Sequence, residues 1–277
     1  MIQSQRGLNL SSILILLASA SVLAVGCHQK SATNPEPNSA PSSAPSSAAS
    51  TPPSSPAAPS GFVATTASTN PLAYYRLESK TGPSEVGATT YQSLGGVTNA
   101  AGAPIGLPGN QCAVLNGTDA WISTSQIGGI STAGSIMAWV NLAVLPAVIG
   151  HIDYVAGESQ SGNDFDLQFE ADNSINFYTS GGAHSTYVPD KTTLLDQWHM
   201  IVATMDSAAG TRAIYWDGLP VITEQVPSTP NKTSQFTIGS SPTWTGRFFN
   251  GSIDEVAVWN VALSASQVAA IYGATKK

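Results

Sequence analysis

Between Asn163 and Glu170 the chain reads Asn-Asp-Phe-Asp-Leu-Gln-Phe-Glu. Strict alternation of apolar and polar residues is the mark of a strand with one buried face. It turns Phe165, Leu167 and Phe169 toward an interior and sets Asp164, Asp166, Gln168 and Glu170 in one outer row. If the next strand returns through a turn at Asp172-Asn173-Ser174, Asn176 and Tyr178 join that row. Carboxylates and amides offer hydrogen bonds to hydroxyls, and a flat ring covers the C–H side of a pyranose, so this is a chemistry suited to sugars. A solvated outer face with ordinary polar residues would show the same alternation. Both readings stand at this level.

Two turn-rich segments add aromatic side chains where recognition residues tend to concentrate. Ser180 to Lys191 carries His184 and Tyr187, and Ser240 to Gly246 carries Trp244 in a Ser-Pro-Thr-Trp-Thr-Gly setting with few apolar neighbours. His151, His184 and His199 are scattered, and no Cys-x-x-Cys pair, His-Glu-x-x-His motif or nucleophile elbow occurs. His199, between Trp198 and Met200, reads as a sheet residue and Cys112 as a small buried apolar one.

Short runs of Val, Ile, Thr, Tyr, Phe and Trp alternate with clusters of Gly, Pro, Asn, Asp and Ser from Gly61 to Lys277. This predicts an all-β domain, large enough for one two-layer sandwich, with no repeat to suggest a propeller. Asp217-Gly218 predicts a hairpin turn. Ser264 and Gln267 predict a capping box, Leu263 and Val268 a hydrophobic staple, and Gly273 the end of a short C-terminal helix.

The strands occur in a telling order. Ala73-Tyr-Tyr-Arg-Leu-Glu78 is followed by Ala113-Val-Leu-Asn-Gly117, Ala120-Trp-Ile-Ser123 and Ser135-Ile-Met-Ala-Trp-Val140. Then come Trp198 to Asp206, Ala213-Ile-Tyr-Trp-Asp-Gly218, Ile238-Gly239, and finally Gly251-Ser-Ile-Asp-Glu-Val256 with its helix through Tyr272. From about Leu72 to Tyr272 this resembles laminin G-like domains of the concanavalin A-like lectin and glucanase superfamily. The resemblance implies an antiparallel jelly-roll sandwich of two sheets with a short C-terminal helix, the last strand lying beside the first near Tyr74. It also implies a candidate structural Ca²⁺ held by Asp254 with carbonyls near Ala73 and Gly117, although a single carboxylate makes a weak site. Jelly-roll glycosidases carry Glu-x-Asp-x-(x)-Glu on one strand. Here Asp164-x-Asp166 is followed by three residues before Glu170, so the nucleophilic Glu is missing and the spacing is one too long.

Residues 1–26 hold one charge, Arg6, and an apolar run from Ile13 to Val25, then Cys27. This predicts a secretory signal, and Leu-Ala-Val-Gly-Cys resembles a bacterial lipobox with Cys27 as the lipidated residue. From His28 to Ser60, 27 of 33 residues are Ser, Pro, Ala or Thr. That composition predicts a loosely extended stalk. The chain divides into a signal peptide (1–26), an anchor and linker (27–60) and one domain (61–277). Removal of the signal takes the net charge from -7 to -8. Such acidity argues against nucleic acid as partner and leaves the lipid as the contact with membrane. The expectation is an exported bacterial lipoprotein at the outer membrane or cell surface, presenting a non-catalytic module for a glycan or an extracellular protein. Asp166, Gln168, Glu170, Asn176, Tyr178, His184, Tyr187 and Trp244 are the candidate ligand contacts. A protein-binding module without a sugar site and a divergent glycoside hydrolase are the alternatives.

Overall fold

The computed structural model describes residues 61–159, 164–179, 182–225 and 235–276. The signal segment, Cys27, the linker up to Ser60, Asn163 and Ser180 lie outside them. Helix α1 (Phe62–Ser68) opens the domain, followed by β1 (Ala73–Tyr75), β2 (Thr81–Pro83), β3 (Thr90–Leu94), β4 (Thr98–Ala101), β5 (Gln111–Asn116), β6 (Trp121–Thr124) and β7 (Ala133–Leu142). After α2 (Pro146–Ile149) come β8 (Asp153–Glu158), β9 (Phe165–Phe169), β10 (Ile175–Thr179), β11 (Ala183–Tyr187), β12 (His199–Asp206), β13 (Thr211–Trp216) and β14 (Leu219–Gln225). Strands β15 (Phe236–Ile238) and β16 (Asn250–Trp259) and helix α3 (Ala265–Gly273) complete it.

The strands form two antiparallel eight-stranded sheets. The first runs β14-β13-β12-β7-β16-β5-β4, with β1 also on β16, and the second runs β11-β10-β9-β8-β15-β6-β3-β2. Tyr74 lies opposite Ala257, so the opening strand is stitched beside the last, as the jelly-roll resemblance implies. It is shorter than the sequence suggests, ending at Tyr75, because Leu77 has φ 59° and turns the chain. At the β13–β14 hairpin both Asp217 (φ 49°) and Gly218 (φ 82°) are left-handed, as a two-residue turn of the tightest type requires.

Alternation sorts the side chains. On β9 and β10, Phe165, Leu167, Phe169, Ile175 and Phe177 enter the core between the sheets, meeting Ile136, Ala138 and Val140 of β7 and Ile201 and Ala203 of β12. The opposite residues of β7 and β12 are apolar too: Met137, Trp139, Met200 and Val202 form a second cluster outside the first sheet with Phe62, Trp259, Val268 and Ile271. Helices α1 and α3 supply that cover. Trp139 stacks on Tyr272 with ring centroids 5.9 Å apart and meets Phe62 edge-on at 6.1 Å, while the Trp259 indole N–H donates to Thr69 Oγ1 at 2.9 Å. Helix α3 starts in the expected capping box, and Leu263 and Val268 are both buried. Gly273 does not end it. It occupies the last helical turn, and the chain tightens into a 3-10 turn at Ala274–Lys276.

Candidate functional site

Among the described residues no helix covers the outer face of the second sheet, and there the polar half of the alternation comes together. Neighbouring strands place His184, Tyr178, Asp166, Gly157, Thr237 and Ser123 opposite one another in one row across β11, β10, β9, β8, β15 and β6. A second row holds Asn176, Gln168 and Tyr154. Gly157 has φ 149°, and a Cβ there would stand 2.4 Å from Asp166 Cα and 2.5 Å from its Cβ. Only glycine leaves Asp166 this room.

Trp244 reaches the row from the segment after β15. Ser241 Oγ accepts the backbone N–H of Trp244 at 3.0 Å, and Thr243 Oγ1 donates to the Ser159 carbonyl, which fixes the turn against the end of β8. Three residues on, the Arg247 guanidinium lies 5.1 Å from the Trp244 ring centroid and Nη1 donates to Gln168 Oε1 at 3.0 Å. Gln168 Nε2, Tyr178 OH and Asn176 Nδ2 donate to one oxygen, Glu170 Oε1, at 2.8, 3.0 and 3.1 Å. The Tyr178 and His184 rings lie 4.7 Å apart. Asp164, Asp166, Gln168, Tyr178, Gly182, Trp244 and Arg247 therefore enclose a cleft of about 170 Å³. This is below the ~300–1,000 Å³ of typical small-molecule pockets and suits one small polar ring.

Asp166 is the unusual member. It is 3% exposed, lines the cleft, and among the described residues receives no hydrogen bond. Burial pushes its carboxyl well above the usual range, Asp164 and Glu170 add to this, and Arg247 opposes it. Burial likewise raises Asp164, against a hydrogen bond from Ser159 and the charge of Arg247. A protonated carboxyl presents both a donor and an acceptor to a ligand hydroxyl. Trp244, 45% exposed, presents an indole face beside it.

Of the candidate residues, Asp166, Gln168, Tyr178 and Trp244 line this cleft, while Glu170, Asn176 and His184 line an open shelf on the same face. Glu170 ties the two together through its three hydrogen bonds. Tyr187 does not join them. Residues 183–187 are strand β11 rather than loop, and Tyr187 pairs with inward-facing Ile175 and packs on Trp216 at 5.8 Å. Asp164, read from the alternation as part of the outer row, lines the cleft too, and Arg247 and Gly182 complete it without having been singled out. Only the position of Arg247 three residues after Trp244 hinted at its place.

Asp254 is elsewhere, outside the first sheet at a β-bulge. Its Oδ2 accepts from Ala103 N at 2.9 Å and Asn110 Nδ2 at 2.7 Å, and its Oδ1 from Glu255 N at 2.9 Å. Ala73 pairs with Val258 and Gly117 abuts Asn250, each four residues along β16 from Asp254. Its oxygens face N–H donors, a setting that does not fit a cation. No cluster of three or more His, Cys, Asp or Glu with metal-ligand geometry occurs among the described residues. Glu255 beside it is buried with φ 52°. Burial raises its pKa to about 7, against the hydrogen bond from Tyr74 and the charge of Arg76.

A search of curated proteins returns no match. Among solved structures, domain 4 of AbnA, a GH43 extracellular arabinanase from Geobacillus stearothermophilus, solved with arabinotriose, aligns at 19% identity and TM-score 0.55, covering 73% of this chain and 98% of that one. The binding domain of botulinum neurotoxin DC aligns in its complex with rat synaptotagmin II at 10% identity and TM-score 0.58, covering 76% and 52% of the two chains. The same domain in complex with SialylT aligns at 10% identity and TM-score 0.54, covering 74% and 52%. At these identities the likeness is one of fold. The Laminin_G_3 family model matches residues 116–269, more than half of the chain, from the end of β5 into α3. With the two-sheet sandwich and the β1–β16 pairing, that match makes this chain a member of the concanavalin A-like lectin/glucanases superfamily.

Proposed function

We infer that the protein is a non-catalytic binding module for a glycan, held at the cleft where Trp244 stands beside Asp166. One observation carries this: a nearly buried carboxyl without a hydrogen-bond partner opens into a cleft whose other wall is an exposed indole. Its oxygens open into the cleft, where a ligand hydroxyl can take the place of water as their hydrogen-bond partner. Trp244 covers the apolar side of the same ring, and Arg247 and Gln168 supply further polar contacts. The arabinotriose and SialylT complexes of two structural neighbours support the reading at the level of the fold. Hydrolysis is not part of it, since the strand lacks the nucleophilic Glu of jelly-roll glycosidases. Cys27 is the lipid-bearing residue, and the Ser/Pro/Ala-rich stalk presents the module outward from a bacterial envelope.

The test is a glycan array probed with the full chain, its Asp166→Asn variant and its Trp244→Ala variant. Retention on at least one glycan by the wild type, lost in both variants at unchanged melting temperature, is the expected outcome. Equal retention by all three would move the site off this face, and retention of an extracellular protein but of no glycan would favour the protein-binding module.

A further inference from the structure

Trp244 has a second side. Beyond it lies another cleft, of about 370 Å³ against about 170 Å³ for the first, lined by Trp121, Gln235, Ser240, Pro242, Trp244 and Phe248 among others. Trp121 owes its place to alternation on β6: Ile122 is buried in the core, so Trp121 and Ser123 take the outer face. Among the described residues, none that lines this cleft is charged. The polar groups there are partly engaged already, Gln235 Nε2 donating to Ser123 Oγ at 2.7 Å and Ser241 Oγ accepting from Trp244 N. What this cleft offers a ligand is mainly two indole walls, Trp121 and Trp244.

A single indole therefore separates a hydrogen-bonding cleft from an aromatic one. On the other side of the polar cleft, past Tyr178, lies the open shelf of Glu170, Asn176 and His184. Trp244 is common to the two clefts, and the Tyr178–His184 ring contact joins the polar cleft to the shelf, so a ligand seated at Asp166 can continue past either ring. A molecule that presents hydroxyls and a C–H face again and again along its length is a linear oligosaccharide. Charge narrows the class further. In the polar cleft Arg247 is already shared among Asp164, Asp166 and Gln168, so a ligand carboxylate there finds its cation taken, and an acid entering the aromatic cleft would lose its water without gaining a partner. Uronic and sulfated chains are disfavoured on both counts.

We propose that the groove takes an internal stretch of a neutral linear glycan, one sugar unit against Asp166 and the next between Trp121 and Trp244. The inference rests on the glycan reading above and adds to it the second subsite and the chain character of the ligand. Stacking on an exposed indole in such a setting changes affinity by roughly ten-fold.

The experiment is calorimetric titration of the full chain with neutral arabino-, xylo- and cello-oligosaccharides from monosaccharide to tetrasaccharide, with Trp121→Ala and Trp121→Phe variants alongside. For the series that binds, affinity should rise roughly ten-fold between monosaccharide and disaccharide. Trp121→Ala should abolish that step while leaving monosaccharide affinity unchanged, and Trp121→Phe, which keeps a ring and guards against a folding defect, should retain most of it. A matching oligouronide should fail to bind. Sugar binding that is independent of length, or a length step that survives in Trp121→Ala, overturns the second subsite while leaving the glycan reading intact. Binding of no oligosaccharide or array glycan by the wild type removes both.

Discussion

The two outer faces of the sandwich are both built from antiparallel strands, yet they differ in what lies over them. On the first sheet Met137, Trp139, Met200, Val202 and Trp259 point outward and are buried under α1 and α3. On the second, Asp166, Gln168, Asn176 and Tyr178 point outward, and among the described residues the Trp244–Arg247 segment reaches over them. One face is a second core and serves stability. The other keeps carboxyls in partly dry surroundings where hydrophobic residues would pack at no such cost, an expense that the proposed binding at this face would explain.

The largest expected effect that separates the faces is Trp259→Ala. Loss of this fully buried indole should cost about 3–5 kcal/mol in chemical denaturation, whereas Trp244→Ala, of the same change in size but at an exposed ring, should stay within about 0.5 kcal/mol of wild type. Similar losses at both positions would erase the distinction.

The next effect is in pH. Burial raises Asp153 to about 7, against the Asn250 N–H and the charge of His151, and Glu255 is raised to about 7 as described above. In His199 burial works against the charge, but the hydrogen bonds to the Asp217 carboxylate and the Thr193 carbonyl outweigh it, and its pKa rises as well. In each case the folded state holds its proton more tightly than the unfolded chain. The stability from the two acids is complete below about pH 4 and is lost as pH rises to about 7; that from His199 is lost at higher pH, through its raised folded pKa. The lowered carboxyls Asp172, Asp190 and Glu224 lose their contribution below about pH 4, outside that window. Melting temperature should therefore fall between pH 5 and pH 8, and Asp153→Asn should flatten the fall. A melting temperature that rises over this range would contradict the assignment.

Smaller effects sharpen the contrast. Asp166→Asn removes a buried ionisable group with no hydrogen-bond partner and should raise stability at pH 8 by roughly 1 kcal/mol while abolishing glycan retention, the trade expected of a binding residue. Ser264→Ala removes the α3 capping box and should cost about 1 kcal/mol, loosening the cover of the first sheet without touching the second. Either result is read from denaturant midpoints.

Much of this arrangement was legible in the chain. Alternation from Asp164 to Glu170 gave the correct faces, because a strand with one face in the core has only one way to sit. The hairpin at Asp217-Gly218 and the capping box of α3 were equally readable, being local. What was not legible depends on residues far apart in sequence. Asp166 is buried because Gly157 gives it room and because Trp244 and Arg247, some eighty positions later, close over it. Tyr187 looked like a loop aromatic because polar and small residues surround it, yet pairing with β10 makes the segment a strand and turns the ring toward Trp216. Asp254 looked like a cation ligand from the family pattern, but Asn110 and the Ala103 amide reach it from a turn the sequence left featureless.

A glycan seated in the Trp244 cleft would disturb that indole and leave those under the helices untouched. Fluorine NMR of the full chain labelled with 5-fluorotryptophan resolves its six tryptophans. On saturation with a glycan retained on the array, the Trp244 resonance should shift while those of Trp139 and Trp259, under the helices, stay in place. Shifts at Trp139 or Trp259 with Trp244 unmoved would place binding on the other face and contradict the central claim.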